Sequence, residues 1–165
     1  MILVALVLQP AQAQTYTVLH SFAGGPADGA YPNGELIEDA AGNWYGTTDA
    51  GGGAGTVFKL DPAGVLTVLY SFTDGTDGAS PQEGLFRDPT GNLYGTTWGG
   101  GASGRGTVFK LDTSNILTTL YSFRGGSDGA HPDFRLVSIN GELYGTTHTE
   151  AAQAATAAVA ARSSR

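Results

Sequence analysis

The sequence predicts an all-β chain: a partial β-propeller of four-stranded meander repeats about 50 residues long, with a β-trefoil as the alternative. Three observations carry this. Tyr-Gly-Thr-Thr occurs at residues 45–48, 94–97 and 144–147, spaced 49 and 50 residues apart. Ser21-Phe22, Ser71-Phe72 and Ser122-Phe123 keep the same step, as do Asp28-Gly29-Ala30, Asp77-Gly78-Ala79 and Asp128-Gly129-Ala130. Glycine supplies 26 of 165 residues, roughly twice the usual share of about 7%, and clusters between apolar runs, as short strands joined by tight turns require.

In chain order, residues 1–13 combine an apolar run (1–8), a helix-breaking Pro10 and Ala11-Gln12-Ala13. This is the pattern of a signal peptide, without the usual basic start, and it predicts export to the periplasm, the cell surface or the medium. The apolar run is too short to cross a bilayer, which takes about 20 residues. The lack of cysteine is compatible with export, because a repeat fold with an adequate core needs no disulfides. Residues 14–148 form the repeat domain, with units 15–64, 65–115 and an incomplete 116–148.

The strands, named a to d, are clearest around the middle unit, at 85–88, 92–97, 106–112 and 116–123, each rich in β-branched or aromatic side chains. The first unit is expected to repeat them within 36–72, and residues 16–22 are expected to be a further d strand. Asp88-Pro89-Thr90-Gly91 and its counterpart at 39–42 suit a type I turn followed by a residue at positive φ. Gly64 is replaced by Asn115 in the next c–d turn, and Asn is the other residue that tolerates the left-handed region. The Gly-rich loops at 51–55 and 99–106 lead directly into strand c, with neither a Gly-Lys-Ser/Thr nor a helix, so they are not phosphate cradles. Asp-Gly-Ala-x-Pro marks each crossover to the next unit, and its Pro and Gly argue against a fifth strand.

The phrase Asp-x-x-Gly-Asn-Leu-Tyr-Gly-Thr-Thr at 88–97, nearly repeated at 39–48, is joined by Gly-Gly-x-x-Gly-x-Gly-Thr-Val-Phe-Lys-Leu at 100–111. Together they resemble the GloVer tandem repeat of exported bacterial proteins with varied C-terminal anchors, over roughly residues 16–148. The resemblance implies a propeller-like fold and no particular activity. The third unit departs from the pattern. After Thr147 no Gly-Thr-Val-Phe-Lys-Leu strand follows, and residues 149–165 form an Ala-rich tail. That change predicts a frameshifted or misjoined continuation of a truncated propeller, with an Ala-rich helix as the alternative.

The charge is −7 and the eight Lys and Arg are scattered, which excludes the basic stripe that nucleic-acid binding requires. A residue needed for chemistry appears once, whereas one needed by the repeat appears in every copy. By that criterion no catalytic residue, metal site or cofactor is expected. The three histidines align with unlike residues: His20 with Tyr70 and Tyr121, His131 with Tyr31 and Ser80, His148 with Asp49 and Trp98. They are not expected to converge, and Glu35, Glu38, Glu83 and Glu142 sit at unlike positions, against the paired carboxylates of glycoside hydrolysis. Asp28, Asp77 and Asp128 share one loop, where an Asp side chain ordinarily accepts backbone N–H groups; they are also binding candidates. In an a-b-c-d meander the b–c loops and crossovers emerge on one face, which gathers Trp98, Arg105 and His131 as binding candidates. Tyr45, Tyr94 and Tyr144 repeat too faithfully for one ligand site and are assigned to packing between units.

These readings predict an exported binding or scaffolding protein, its expected partners a glycan or a cell-surface protein, with self-association able to complete a ring. The alternatives are a carbohydrate-active enzyme on the same scaffold, since the fold does not specify chemistry, and a spacer beside an anchor.

Overall fold

The computed structural model describes residues 17–148 and 161–162. The predicted signal peptide lies outside the described residues, as does the tail apart from Ala161 and Arg162. The first unit is an antiparallel meander of β1 (Ala30–Glu38), β2 (Trp44–Ala50), β3 (Thr56–Leu60) and β4 (Leu66–Ser71) in spatial order β1-β2-β3-β4. The second repeats it with β5 (Phe86–Arg87), β6 (Leu93–Thr97), β7 (Thr107–Leu111) and β8 (Leu117–Ser122). The third contains β9 (Val137–Ile139) and β10 (Glu142–Tyr144), and β11 (Ala161–Arg162) pairs with β10 at two positions. No strand of one unit pairs with a strand of another among the described residues. A trefoil barrel would need such pairing, so the all-β architecture is that of open, propeller-like blades.

The register copies itself between units. Gly46 faces Phe58 and Thr48 faces Thr56, while Gly95 faces Phe109 and Thr97 faces Thr107. This explains the recurring tetrapeptide residue by residue. A Cβ on Gly46 would stand 2.6 Å from Leu36 and 2.7 Å from Phe58, and one on Gly95 would stand 2.7 Å from Phe109, so only glycine lets these side chains lie on strand b. The last threonine of the motif meets the threonine of strand c, Oγ1 to Oγ1 at 2.8 Å in both complete units. Asp-Gly-Ala is explained by the same pair: a Cβ on Gly78, at φ +113°, would stand 2.4 Å from the Thr97 hydroxyl.

The turns form as the sequence predicts. Gly42, Gly64, Gly91 and Asn115 all take positive φ. In the a–b turns, Asp39 and Asp88 accept the amides of Ala41 and Asn43, and of Thr90 and Asn92, at 2.9 to 3.0 Å. The third unit is one residue shorter here and turns on Asn140 (φ +55°) and Gly141 (φ +81°) between paired Ile139 and Glu142, the signature of a two-residue type I′ hairpin.

Two expectations need correction. Residues 17–22 form no strand. A d strand is held by its c strand, as β4 by β3 and β8 by β7, and among the described residues no c strand lies beside 17–22. Secondly, Ala30 to Pro32 extends strand a instead of looping, pairing Ala30 with Ala50 and Pro32 with Thr48. The later copies keep single bridges there, Ala79 with Gly99 and Pro132 with Thr147. Proline is tolerated because this is an edge strand.

The core lies between units. Leu85, Leu93, Phe109 and Leu111 of the second unit pack with Val57 and Phe72, with Ile37, Tyr45 and Leu69 against them. Phe72, directly after β4, meets Phe109 edge to face at 5.2 Å. Tyr94, Val108 and Phe123 pack with Leu136 and Leu143 of the third unit. Each unit therefore has a leading face that receives the trailing face of the unit before it. Phe22 meets Phe58 at 5.2 Å in the same manner as Phe72 meets Phe109, although residues 17–22 are not a strand.

Candidate functional site

Asp28, Asp77 and Asp128 close their own loops. Asp77 accepts the Thr73 amide at 2.9 Å, the Thr73 hydroxyl at 2.7 Å and the Tyr70 hydroxyl at 3.1 Å. Asp128 accepts the Arg124 amide at 2.8 Å and the Tyr121 hydroxyl. Asp28 accepts the Ala23 amide and lies 2.5 Å from His20 Nε2. His20 thus does at its position what the aligned Tyr70 and Tyr121 do at theirs. The Ala23 amide, followed by His20, holds the Asp28 carboxyl below its ordinary value. Burial pushes Asp77 upward, but the bonds from Thr73 and Tyr70 outweigh it and its net shift is downward. Asp128 is paired in the same way, so all three carboxylates serve the crossover turn.

The other three candidates do meet. His131 donates from Nδ1 to the Trp98 carbonyl at 2.8 Å, and its ring stacks on the Trp98 indole with centroids 4.6 Å apart. The His131 amide donates to the Arg105 carbonyl at 2.9 Å. Trp98, Arg105 and His131 are all partly buried. The b–c loop of the second unit supplies Trp98 and Arg105, and the crossover into the third supplies His131. The expectation that the histidines stay apart is corrected here. His148, exposed, lies 6.1 Å from the Trp98 ring, donates its amide to the His131 carbonyl at 3.1 Å and has Nδ1 3.6 Å from Asp133. His20 belongs to the first crossover, away from them. His148 and Asp133 were legible only by register: residue 49, 98 or 148 opens each b–c loop, and each loop leans on the next crossover. Asp49 does the same, accepting from Gln82 at 3.1 Å.

A second cluster forms where the strands a begin. Arg135 donates to Glu35 at 2.9 Å across 100 residues of chain. Gly84 lies between, where a Cβ would stand 3.1 Å from the Glu35 backbone and 3.3 Å from Arg135. Burial, then the charges of Asp133 and Glu35, raise the Glu83 carboxyl. Glu35 and Glu83 therefore interact although their repeat positions differ by one, a proximity that position-by-position alignment hides.

Three hollows lie elsewhere. One of about 360 Å³ sits on the leading face of the first unit, between Phe22, Leu36, Phe58, Leu60 and Leu66. Another lies on the trailing face of the third unit, beside Val137, Tyr144 and Thr146. The third lies along β5 and the β9–β10 turn. Tyr45 and Tyr94 have the expected packing role, and in addition their hydroxyls donate to Asp39 and Asp88 at 3.0 and 3.1 Å. Among the described residues no group of three or more His, Asp or Glu could hold a metal ion, and no helix is long and apolar enough to cross a membrane.

No curated protein matches the chain. The profile of the Gloeobacter/Verrucomicrobia repeat matches residues 6–159, nearly the whole sequence, and includes both complete meanders and the incomplete third. With the repeat phrases, their register and the stacked units in agreement, the chain belongs to the Gloeobacter/Verrucomicrobia repeat family.

Proposed function

We propose that this chain is an exported scaffold whose loop face binds a glycan at the cell surface or outside the cell. The observation that supports this most is the meeting of Trp98, Arg105, His131 and exposed His148 on loops from two adjacent units. The recurring phrases of the repeat are occupied by packing and turn formation, whereas these four residues differ from their counterparts in the other units. An indole and two imidazoles offer flat apolar surface with N–H donors at the rim, which suits a sugar ring. A cell-surface protein is the alternative ligand, and a second copy of the chain is a further partner.

Screening the full chain on a glycan array is the test, with Trp98→Ala as the control. The expected result is binding to a defined glycan class, weakened about tenfold or more by Trp98→Ala, with the β-sheet circular dichroism unchanged. Binding that Trp98→Ala leaves intact would move the site elsewhere, and no glycan or surface-protein binding by the folded chain would favour a spacer role. Export is tested by N-terminal sequencing of the secreted protein, which is expected to begin at Gln14.

One observation favours hydrolytic chemistry as a second reading: the Glu83 carboxyl, raised by burial and then by the charges of Asp133 and Glu35, stands near other acids, as the proton donor of a glycoside hydrolase does. Against it, Arg135 engages Glu35 at 2.9 Å. Turnover of chromogenic glycosides abolished by Glu83→Gln would establish this reading in place of binding.

A further inference from the structure

We propose that the ligand of the loop face is a neutral, linear oligosaccharide laid across adjacent units, held beyond the Trp98 cluster by Gln82, Asp49 and Tyr31; this rests on the glycan reading above. Each crossover has one residue between its Ala and its Pro: Tyr31, Ser80 and His131. All three take left-handed backbone, at φ +55°, +53° and +52°, a conformation that costs stability outside glycine and is concentrated at functional sites. The main chain here is clamped from two sides. The Ser80 amide donates to the Ala54 carbonyl at 2.8 Å and the His131 amide to the Arg105 carbonyl at 2.9 Å, each on the b–c loop of the preceding unit. The Ser80 and His131 carbonyls accept the amides of Trp98 and His148, at 3.0 and 3.1 Å, from the b–c loop of their own unit. The backbone is therefore held alike while the side chain changes from phenol to hydroxyl to imidazole, a rigid frame that presents variable groups for binding.

Contacts between units join these variable residues into one band. The pairing of Ala30 with Ala50 and of Pro32 with Thr48 sets Tyr31 opposite Asp49. Asp49 Oδ1 accepts from Gln82 Nε2 at 3.1 Å, between the first and second units. Gln82 lies two residues along the chain from Ser80, about 7 Å at most, and Ser80 is bonded to Trp98. Between the second and third units, Trp98 stacks on His131 with centroids 4.6 Å apart. Asp49, Trp98 and His148 share one repeat position, and Gln82 and Asp133 another. The Tyr-Gly-Thr-Thr phrase ends where this band begins, and every position in the band differs from copy to copy.

The side chains set the ligand class. Tyr31 is 74% exposed, an aromatic ring presented to solvent by strained backbone, and the Trp98–His131 stack stands further along the band. Between them, Asp49 Oδ2 and Gln82 Oε1 take no part in the Asp49–Gln82 bond and can accept hydroxyl groups. Aromatic faces separated by acceptors suit sugars linked in a row, ring faces on the aromatics and hydroxyls on the acceptors. A single sugar on Trp98 would leave Tyr31 unused. Asp49 and Asp133 place negative charge on the band, Glu83 feels the charges of Asp133 and Glu35, and the chain carries −7 in all. The Arg105 guanidinium lies against Gly125, at the start of the crossover. Like charge thus disfavours a uronic or sulfated chain.

Isothermal titration calorimetry of the full chain with cello-, N-acetylchito- and malto-oligosaccharides, in lengths from a single sugar to a hexamer, tests this. In at least one series the affinity should rise about tenfold or more from monomer to tetramer, as further hydrogen bonds and a second aromatic contact are engaged. Tyr31→Ser and Asp49→Ala should stay folded by circular dichroism, because other copies of the repeat place serine or histidine at the first position and tryptophan or histidine at the second. Each should reduce the rise with length by about threefold or more, whereas Trp98→Ala should weaken every length. Oligogalacturonates of the same lengths should bind about tenfold more weakly than the best neutral series. Affinity that does not depend on length, or a rise that either Tyr31→Ser or Asp49→Ala leaves intact, would overturn the extended site while glycan binding at Trp98 stands. Oligogalacturonates that bind as tightly as the neutral series would overturn the ligand class. Binding to none of the neutral series would overturn the proposal, and the glycan array then shows whether the glycan reading falls with it.

Discussion

Gly78 shows how little freedom the repeat leaves a single residue. Its φ of +113° is rare for L side chains, and its missing Cβ is the space in which Thr97 and Thr107 meet. Gly78→Ala should therefore cost about 3 kcal/mol or more, from strain together with displacement of a buried hydroxyl pair, read as a lowered urea midpoint. At Asp88 the effect is electrostatic. Burial raises its carboxyl, but bonds from Asn92, Thr90 and Tyr94 outweigh this and lower it from 3.8 to about 2. A carboxyl depressed in the folded state stabilises fully above its unfolded value, and that contribution disappears as pH falls from about 4 to about 2. Asp88→Asn should thus lower stability by about 1–2 kcal/mol at neutral pH and by almost nothing near pH 2, measured by urea denaturation at both. Tyr94 is the reciprocal partner: burial first, then the Asp88 charge, push its hydroxyl up to about 12, so it stays protonated and keeps donating throughout that range.

Among the elements, the turns and the complete meanders were legible because their signals are local. Gly91 and Asn115 announce their backbone conformation, and the four apolar runs announce their strands. What the sequence hid depends on partners far along the chain. Residues 17–22 resemble β4 and β8 in every side chain that matters, and form no strand because strand pairing needs a neighbour that composition does not reveal. Trp98 and His131 were gathered correctly by strand direction, whereas the approach of His148 required knowing that each b–c loop leans on the following crossover. Glu83 and Glu35 were set apart by alignment and joined by the convergence of the strands a. The same dependence on neighbours ranks equivalent phenylalanines. Phe72 is fully buried at a filled junction and Phe22 is half-buried at an open one. Phe72→Ala should cost about 3–5 kcal/mol and Phe22→Ala less than half of that, both read from thermal or urea unfolding.

At the scale of the whole molecule, stability comes from faces between units more than from any unit alone, as for other stacked repeats. The second unit is covered on both sides: Leu85 and Phe109 are closed by the first unit, and Tyr94 and Val108 by the third. In the outer units Leu36 and Val137 are each 50% exposed, and among the described residues the outer edge of β10 pairs with the two residues of β11. A loop face carried on this gradient would have its firmest support at the junction of the second and third units, where Trp98 and His131 meet.

The most direct test of this account is native-state hydrogen exchange, resolved by peptide and conducted at a concentration where the chain is monomeric. Exchange should be slowest in β6 and β7, intermediate in β2 and β3, and fastest in β9 and β10. Equal protection of the three units, or slowest exchange in the third, would contradict the claim that each unit is held chiefly by its neighbours.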